Sequence, residues 1–366
     1  MRHPTFEGMR IDKKSNEIVR EKPKSVEVIL KKEKKILHEK KILQTPSNKK
    51  ERKTLLNPND ETQERIVNSH VLKFTNLSKL YWPKDKFSKR DLLNYYYQVA
   101  PYILPYLINR PQSLNRHPNG INGESFYQKD VTGKVPGWIR TFPYRSEEDG
   151  RKKNFMVCSD EASLLYMASQ GCIEMNPWSS RIQSPDKPDW CIIDLDPDKN
   201  KFEEVIETAR ITKQLLDSLS VPAYCKTSGS TGLHIYIPLN AKYSYEASKQ
   251  FGRVIATLVH HELPEFTSIE RPTSKRKGKI YIDFLQNRPQ ATLAAAYSVR
   301  PKPGATVSMP LYWEEVKKGL SIQDFTILNA LARLKETGDI FKPVNGKGID
   351  LEKVLKRMNK LFKTSP

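Results

Sequence analysis

The amino-acid sequence predicts an α+β fold of the mixed α/β kind, with a central mixed or antiparallel sheet and flanking helices. Strand patterns and helical patterns interleave from about residue 71 onward, without a strict strand–helix–strand repeat. The chain has 366 residues, of which 37% are hydrophobic, enough for one large or two small domains with a substantial core. No apolar run approaches the ~20 residues that a membrane-spanning helix needs, so we expect no membrane partner.

The first folded elements follow a charged N-terminal stretch. Residues 71–74 have the pattern of a short strand. A helix then begins at Ser88, with Asp91 three residues later in the position of a capping-box acid. Its apolar spacing continues past Pro101 and Pro105. These prolines are expected to kink or divide the helix, because proline removes a backbone donor.

Strands and helices alternate through the rest of the chain. Strands are predicted at residues 154–158, 190–195, 223–226, 233–237, 279–285 and 291–298, and helices at residues 161–171, 202–219, 243–263 and 350–362. The last two strands are expected to pair with each other. Ser159 or Asp160 is expected to cap the helix that follows them.

Composition divides the chain into a basic N-terminal stretch and a globular body. Residues 1–70 carry 18 Lys or Arg, 11 Asp or Glu and a single aromatic, Phe6. Such a stretch cannot bury enough apolar surface to offset its ordering entropy. We therefore expect a basic flexible linker at residues 21–69, a folded domain at residues 70–345, and a basic helix and tail at residues 346–366.

Charge and cysteine content point to a cytoplasmic protein with a polyanionic partner. The formal net charge is +20, which favours a partner such as nucleic acid, although a solubilising surface is the alternative. The N-terminus lacks the apolar core of a secretory signal. Four cysteines lie far apart without metal-type pairing. They are expected to be reduced, buried thiols.

Three aspartates on strand patterns form a candidate metal site. Asp194 and Asp196 end an apolar strand and project from the same face, because side chains two residues apart on a strand share a face. Asp283 interrupts another apolar strand. Carboxylates this close favour divalent cations, and three of them could hold two Mg²⁺ or Mn²⁺ ions. The alternatives are an Asp-rich turn after the first strand and, for Asp283, a buried salt bridge with an arginine.

A small-residue loop between two strands forms a candidate phosphate site. Residues 226–234 read KTSGSTGLH, and glycines among hydroxyl residues allow backbone N–H groups to wrap phosphate oxygens. The loop lacks the Gly-Lys-Ser/Thr ending of a Walker motif, and a strand follows it. The alternative is an ordinary Gly/Ser hairpin. His234 distinguishes the two, because a histidine next to such a loop can donate to a phosphate.

From about residue 71 to residue 344, the chain resembles the polymerase domain of bacterial DNA ligase D, a member of the archaeo-eukaryotic primase superfamily. The matching stretches are residues 76–83 (NLSKLYWP), 110–116 (RPQSLNR), 126–130 (FYQKD), 173–178 (IEMNPW), 193–197 (IDLDP), 228–234 (SGSTGLH), 283–287 (DFLQN) and 296–300 (AYSVR). Ordered motifs over so long a stretch are far more specific than one Asp-x-Asp. The resemblance implies a primase-like fold.

The resemblance also implies roles at the catalytic centre. The aspartates Asp194, Asp196 and Asp283 match the metal-binding, catalytic triad, which would use Mn²⁺ or Mg²⁺. Ser228 and His234 match residues that hold the triphosphate, and Arg300 matches a basic residue of the nucleotide site. Ser230, Thr231 and Gln286 lie in the same matching stretches and complete the candidate nucleotide-binding set.

Further matches imply a DNA interface. Lys79 and Lys89, with Asn76 beside them, match residues that grip the 5′-phosphate of a DNA gap or break. Phe126 and Tyr127 match an aromatic pair that stacks on template bases. The remaining DNA-binding candidates are Arg116 and Lys129, which match basic residues of the active cleft, and Lys275 and Arg276, which belong to a basic loop at residues 274–279.

Three features qualify the match. Position 176 is Asn where many members of the family have His, so a role for that histidine in acid–base chemistry or phosphate binding does not carry over. Position 127 is Tyr where Phe is usual, which preserves stacking. Residues 2–14 (RHPTFEGMRIDKK) look like the end of the OB domain of an ATP-dependent ligase. They suggest either a piece of a ligase–polymerase fusion or a gene that lost its ligase half.

The resemblance implies a nucleotidyltransferase that extends DNA ends or fills gaps in non-homologous end joining. It implies a preference for ribonucleoside triphosphates, and Ku and an ATP-dependent DNA ligase as partners at 5′-phosphorylated gaps and double-strand break ends in the bacterial nucleoid. Two other functions remain open. One is a metal-dependent nuclease with the same carboxylates. The other is a catalytically silent module that bridges DNA ends.

Overall fold

The computed structural model describes Arg52, residues 54–145 and residues 150–363. For residues 361–363 it describes the backbone alone. The expected ligase-like stretch at residues 2–14 and most of the expected linker lie outside these residues. Within the described residues, no helix is long and apolar enough to cross a membrane. All four cysteines are free and buried, which confirms the prediction made for them.

The described part of the chain alternates short strands with helices. The strands are β1 (Gln63–Val67), β2 (His70–Phe74), β3 (Leu80–Trp82), β4 (Phe87–Ser88), β5 (Arg110–Gln112), β6 (Leu114–Arg116), β7 (Phe126–Gln128), β8 (Thr141–Arg145), β9 (Lys152–Cys158), β10 (Cys172–Glu174), β11 (Trp190–Asp196), β12 (Tyr224–Thr227), β13 (Leu233–Pro238), β14 (Thr267–Ser268), β15 (Ile280–Asp283) and β16 (Pro310–Leu311). The helices are α1 (Lys89–Ile103), α2 (Glu161–Ser169), α3 (Phe202–Ser218), α4 (Tyr245–Glu262), α5 (Thr273–Arg276), α6 (Ala330–Thr337) and α7 (Leu351–Lys363).

A six-stranded sheet in the order β14-β15-β11-β13-β12-β16 forms the centre of the molecule. The pair β14–β15 is parallel and the other neighbours are antiparallel. Helices α3 and α4 pack against each other and against β11. The predicted mixed sheet with flanking helices is therefore confirmed. The central strands read as apolar runs because nearly all residues of β11 and β13 are buried.

Two smaller sheets carry the N-terminal half of the molecule. Their strand orders are β10-β6-β7 and β5-β9-β8. Helix α1 packs against α2 and begins with the predicted capping box between Ser88 and Asp91. It ends at Ile103, after Pro101 and before Pro105, which opens a short 3₁₀ turn. The second proline, rather than the first, thus divides the predicted helix. Asp160 caps α2.

The predicted strand at residues 291–298 is wrong. This segment forms only an isolated bridge between Thr292 and Trp178, so β15 pairs with β11 and β14 instead. Tyr297 has a φ of 67°, and left-handed backbone cannot continue a ladder. The segment is apolar because Ala294, Ala295 and Ala296 are buried, and burial of irregular backbone gives the same pattern as burial of a strand.

Packed structure also begins earlier than the expected domain boundary at residue 70. Strand β1 pairs with β2 along its whole length, and β1 lies in the stretch expected to be linker. Leu56 is only 2% exposed, and its amide donates to Asn94 of α1 at 3.0 Å. The end of the basic stretch therefore belongs to the folded body. Its few apolar residues pack because α1 and β2 supply the other half of the core.

Candidate active site

The register of the central sheet brings two predicted aspartates and the predicted histidine onto one rung. Asp194 of β11 lies opposite Asp283 of β15 on one side and opposite His234 of β13 on the other. Residues directly opposite on antiparallel strands project to the same face. Asp196, two residues after Asp194, shares that face. Four residues from three strands, β11, β13 and β15, thus meet at one end of the central sheet.

Burial raises the pKa of all three carboxyl groups, and neighbouring acids raise the pKa of Asp194 and Asp196 further. For Asp194 the main cause is burial, followed by the charges of Asp283 and Asp196. The pKa of Asp283 is raised by burial. The pKa of Asp196 is raised by burial and by Asp283, although the charge of Arg276 partly lowers it. Three acids that destabilise one another's ionised form fit a site completed by a cation.

The donor set fits divalent metal ions, but the side chains are not arranged as a closed metal site. Among the described residues, no group of three or more His, Cys, Asp or Glu side chains has that arrangement. Protein donors engage two of the carboxylates instead. Gln286 Nε2 donates to Asp283 at 3.0 Å, and Arg276 Nη1 lies 3.7 Å from Asp196. Carboxylate oxygens are the ligands that Mg²⁺ and Mn²⁺ prefer, so the chemistry of the donors fits these ions although their arrangement does not form a closed site.

The proposed phosphate loop is a tight turn closed by its own serine. Ser228 Oγ accepts hydrogen bonds from the amides of Ser230, Thr231 and Gly232 at 3.0–3.1 Å. Ser230 is half-buried and Thr231 is exposed at the tip. The three amides therefore converge on one oxygen, and a phosphate oxygen would have to take the place of this hydroxyl group to use them.

Arg300 connects this turn to a buried glutamate. Arg300 Nε donates to Glu174 at 2.8 Å, and its Nη1 donates to the carbonyl oxygen of Ser228. Glu174 also accepts from the amide groups of Asn115 and Asn176 at 3.0 and 3.1 Å. Burial raises the pKa of Glu174, but Arg300 and the amide donors outweigh it and leave the pKa below its usual value. Asn176 thus stabilises the carboxylate that orients Arg300.

The histidine is fully enclosed and contacts a buried lysine that sequence reasoning assigned no role. His234 is 3% exposed, its Nε2 lies 3.3 Å from Asp194 Oδ1, and its Nδ1 lies 2.8 Å from Lys226 Nζ. Burial and the charge of Lys226 hold the pKa of His234 well below its usual value. The missed signal was a lysine inside an apolar strand, where only an internal partner makes burial tolerable.

The strand pair β6–β7 presents its two aromatic residues to opposite sides. Tyr127 lies opposite Asn115, in the row that continues to Glu174. The charges of Glu174 and Arg300 affect its pKa, which burial raises. Phe126 lies opposite Arg116, whose guanidinium sits 5.4 Å from the Phe126 ring. The predicted aromatic pair is exposed, at 48% for Phe126 and 62% for Tyr127, but its members face different surroundings.

A second cluster gathers the predicted 5′-phosphate residues. Lys89 is 7% exposed, and its Nζ donates to the carbonyl oxygen of Thr75 at 3.1 Å. Burial, followed by the charges of Lys79 and Arg116, lowers the pKa of Lys89 to about 8. The backbone N–H of Lys79 donates to the carbonyl oxygen of Asn76 at 3.2 Å. A buried lysine whose charged form is disfavoured by two neighbouring cations indicates a site that an anion would complete.

The remaining candidates lie at the periphery. Lys129 and Lys275 are exposed. Arg276 turns inward from α5, stacks 3.9 Å from the ring of Tyr281 and faces Asp196. A large cleft of about 1060 Å³ is elsewhere, lined by residues that include Arg181, Asp189, Asp339 and Lys342. None of the candidate catalytic residues lines this cleft.

Comparison with known proteins yields one family. A family model for the LigD primase-polymerase domain matches residues 88–341. Curated relatives include the bifunctional non-homologous end joining protein LigD of Bacillus subtilis, which is 35% identical over 73% of this chain and 43% of its own length. The multifunctional non-homologous end joining protein LigD of Pseudomonas aeruginosa is 33% identical over 70% of this chain and 31% of its own length.

A solved structure gives the same result. The polymerase domain of Mycobacterium tuberculosis ligase D, in complex with DNA, superposes with a TM-score of 0.70 at 25% identity. The match covers 76% of this chain and 99% of that domain. The chain spans less than half the length of the curated relatives that it matches.

Proposed function

The chain belongs to the LigD primase-polymerase domain family, and on this premise we propose that it is a metal-dependent, template-directed nucleotidyltransferase acting on DNA ends and gaps. The observation that carries the proposal is the rung formed by Asp194, Asp283 and His234, with Asp196 beside it. Three mutually repelling carboxylates next to a turn of hydroxyl residues and an arginine suit a nucleoside triphosphate together with its metal ions.

The reaction is attack of a primer 3′-hydroxyl on the α-phosphate of a nucleotide, with pyrophosphate leaving. Asp194, Asp196 and Asp283 would hold two Mg²⁺ or Mn²⁺ ions, which would lower the pKa of the 3′-hydroxyl and neutralise the triphosphate. The protein's own task is positioning and charge stabilisation. Arg300 would contact the triphosphate from its anchor on Glu174, and Ser228, Ser230, Thr231 and His234 would line its path.

Two contacts must change when substrates bind. Arg276 faces Asp196, and Gln286 donates to Asp283. Both side chains would turn away from the carboxylates, which frees Gln286 for the nucleotide and Arg276 for DNA. The movement of Arg276 would also release its stacking on Tyr281 and its hydrogen bonds to the carbonyl oxygens of Glu270 and Arg271. In the free protein, these two contacts partly offset the negative charges of Asp196 and Asp283.

The cationic cluster suits the 5′-phosphate of a gap or break. Lys79, Lys89 and Arg116 surround one region, and a charge-assisted contact from each lysine would contribute roughly 1.5–3 kcal/mol. The solved relative was captured with DNA, which supports DNA as the partner here. Replacing Lys79 and Lys89 with Ala should remove most of the preference for a phosphorylated gap over a hydroxylated one.

The cellular role proposed for the chain is non-homologous end joining. The relatives' names place them in that process, and the family likeness supports a preference for ribonucleotides and cooperation with Ku and an ATP-dependent ligase. A clear preference for deoxyribonucleotides under matched conditions would overturn the first of these. Failure to co-purify with, or be stimulated by, Ku on broken DNA would overturn the second.

One assay tests the activity itself. The protein is incubated with a 5′-phosphorylated gapped duplex, Mn²⁺ and labelled nucleotides, and primer extension is measured together with DNA binding. Extension by the wild type, and its loss in Asp194→Ala with DNA binding retained, is the expected result. Strand cleavage without extension would identify a nuclease instead. DNA binding with neither activity would identify a silent bridging module.

A further inference from the structure

Lys226 of β12 occupies an unusual position, because it is fully buried directly behind the candidate active site. Its Nζ has three partners within hydrogen-bond distance. These are His234 Nδ1 at 2.8 Å, the carbonyl oxygen of Ala294 at 2.9 Å and Ser308 Oγ at 2.6 Å. Burying an ammonium group is costly unless each of its protons is matched. Here the number of partners equals the number of protons.

The directions of these hydrogen bonds follow from the partners. A carbonyl oxygen only accepts, so Lys226 donates to Ala294. The hydroxyl of Ser308 donates to the carbonyl oxygen of Thr227 at 2.7 Å, so its oxygen accepts from Lys226. Burial and the charge of Arg300 lower the pKa of Lys226, whereas the charge of Asp194 raises it. In its charged form Lys226 has no lone pair, so its third proton goes to His234 Nδ1. The proton of the neutral imidazole is then on Nε2.

From this geometry we infer that Lys226 is a positioning residue, which fixes the Nε2–H tautomer of His234 and thereby orients the carboxylate of Asp194. Nε2 lies 3.3 Å from Asp194 Oδ1, so its proton is directed at that oxygen. With the other tautomer and an ionised Asp194, as metal binding would require, two lone pairs would face each other across this distance. A hydrogen bond on one ring nitrogen sets the protonation of the other, and ligands of metal sites are commonly oriented by such outer partners.

The inference goes beyond the proposed nucleotide transfer and rests on it only for the role of Asp194. The competing explanation is that Lys226 merely fills space between β12 and residues 294 and 308. That explanation predicts no link between the ammonium group and the imidazole protonation. A neutral amine would reverse the bond to Nδ1, so the position of the ring proton separates the two explanations directly.

The first test reads the tautomer without any activity measurement. Long-range ¹⁵N–¹H NMR spectra of the full chain labelled at histidine nitrogens distinguish Nε2–H from Nδ1–H. We expect the Nε2–H pattern for His234 in the wild type and its loss in Lys226→Met, which has similar volume and no donor. Cys225→Ala is the matched control, because Cys225 is the fully buried neighbour on the same strand and projects to the opposite face.

The second test reads the consequence for Asp194. Mn²⁺ affinity, measured by titration without nucleotide or DNA, should fall roughly 10- to 100-fold in Lys226→Met and stay unchanged in Cys225→Ala. The variants His234→Gln and His234→Asn extend the test in case Lys226→Met does not fold. A glutamine amide reaches the position of Nε2 and an asparagine amide that of Nδ1. Only His234→Gln should keep near wild-type Mn²⁺ affinity.

The tautomer of His234 and the Mn²⁺ affinities of the variants each support or overturn the inference on Lys226. A wild-type His234 protonated on Nδ1, or an unchanged tautomer and Mn²⁺ affinity in Lys226→Met, would overturn the inference. Equal Mn²⁺ affinity in His234→Gln and His234→Asn would do the same. A wild type that shows the expected tautomer but never extends a primer would contradict the proposed function and leave the positioning role of Lys226 standing.

Discussion

Asp194 opposes folding when it is ionised, because burial and its acidic neighbours raise its pKa. The pKa of Asp194 is higher in the folded chain than in the unfolded chain, so ionisation of this group lowers the free energy of unfolding. The cost is absent at pH values below the unfolded pKa of about 4 and grows as the pH rises towards the folded pKa. Asp194→Asn removes the charge and keeps an acceptor for His234. We therefore expect it to raise the free energy of unfolding of the metal-free chain at pH 7, by roughly 1–4 kcal/mol.

Denaturant unfolding in EDTA measures this effect. The gain should shrink as the pH falls towards about 4, and added Mn²⁺ should stabilise the wild type but not the variant. Asp217→Asn is the control, because Asp217 is an exposed acid paired with Lys213 on α3. Loss of stability in Asp194→Asn at pH 7 would mean that the three aspartates do not repel one another as their register indicates.

The proposed role of Lys89 at a 5′-phosphate predicts that binding of a DNA end depends on pH. Its pKa is lowered to about 8 by burial and by Lys79, so the free protein loses this cation as the pH rises through about 8. A bound phosphate favours the charged form and raises the pKa. Phosphate preference is therefore expected to be full below pH 7 and to decline above about pH 8. Dissociation constants for phosphorylated and hydroxylated gaps, measured at constant salt from pH 6.5 to 9.5, test this.

Lys89→Arg is the matched variant for this profile, because a guanidinium stays charged over the whole range. Its phosphate preference should be independent of pH. A wild-type preference that does not change between pH 7 and 9.5 would show that Lys89 takes no part in phosphate binding.

At the level of single residues, sequence reasoning identified the aspartates and missed the residues behind them. Asp194, Asp196 and Asp283 stood out because an acid in an apolar strand needs a partner. Lys226 is likewise a charged residue at the end of an apolar strand. It also begins the stretch at residues 226–234, whose glycines and hydroxyl residues indicate phosphate binding. Glu174 was seen only as part of a matching stretch. Its pairing with Arg300 joins residues 126 positions apart, which no local pattern reveals.

Strands β11 and β13 approach each other so closely at Gly232 that no side chain fits. A Cβ at this position would lie 1.9 Å from the carbonyl oxygen of Leu195, and backbone cannot yield as a flexible side chain does. Gly232→Ala should therefore cost more than about 3 kcal/mol of stability and displace the turn that begins at Ser228. Gly137→Ala is the control, because nothing lies within 4 Å of its Cβ position.

Thermal unfolding and nucleotide affinity together report on this change. Weakened nucleotide binding is expected along with the lower stability, since the turn and the metal-site strand share this contact. If Gly232→Ala unfolded at the wild-type temperature, the close approach of the two strands would be disproved.

The hairpin β6–β7 places two adjacent aromatic residues, Phe126 and Tyr127, in different surroundings. Tyr127 shares a face with Asn115 and Glu174, beside Arg300, whereas Phe126 shares a face with Arg116. Tyr127→Ala is therefore expected to raise the KM for nucleotides. Phe126→Ala is expected to weaken DNA binding by roughly 1–3 kcal/mol, the usual value for a lost base stack. Because both side chains are exposed, stability should change by less than about 0.5 kcal/mol.

Steady-state extension kinetics and DNA-binding titrations of the two variants provide the comparison. Identical effects on both quantities would mean that the two rings act as a single stacking platform, as the family resemblance alone suggests. The family resemblance predicted an aromatic pair that stacks on template bases. It did not reveal that alternation along the strand sends them to different sites, because the short strand β7 had not been recognised.

For the molecule as a whole, the order and type of the long elements were predictable, and the boundaries of short ones were not. Helices α3 and α4 and strands β11 and β13 were located closely, because their apolar periodicity is strong. Strands such as β1 or β16 have too few residues to establish a pattern. They form because neighbouring strands offer unpaired backbone groups, which is information that a linear sequence does not contain.

Helix α7 and the candidate active site lie towards different ends of the central sheet. Asp194 and His234 mark one end, where β11 finishes and β13 begins. Helix α7 lies towards the other end, because the amide of Ile349 just before it donates to Pro238, the last residue of β13, at 2.8 Å. Arg357 of α7 also donates to the carbonyl oxygen of Leu219, which precedes β12. Basic residues on α7 are therefore remote from the proposed DNA end.

This separation predicts that charge position, not total charge, sets the salt dependence of DNA-end binding. Each phosphate neutralised by a lysine steepens the fall of log K with log salt concentration by about 1. Lys79→Ala with Lys89→Ala should therefore reduce that slope by about 2. Lys353→Gln with Lys356→Gln removes the same formal charge from α7 and should leave the slope unchanged. Equal reductions in both double variants would mean that DNA contacts the far end of the sheet, and that the bound duplex follows a path extending well beyond the candidate active site.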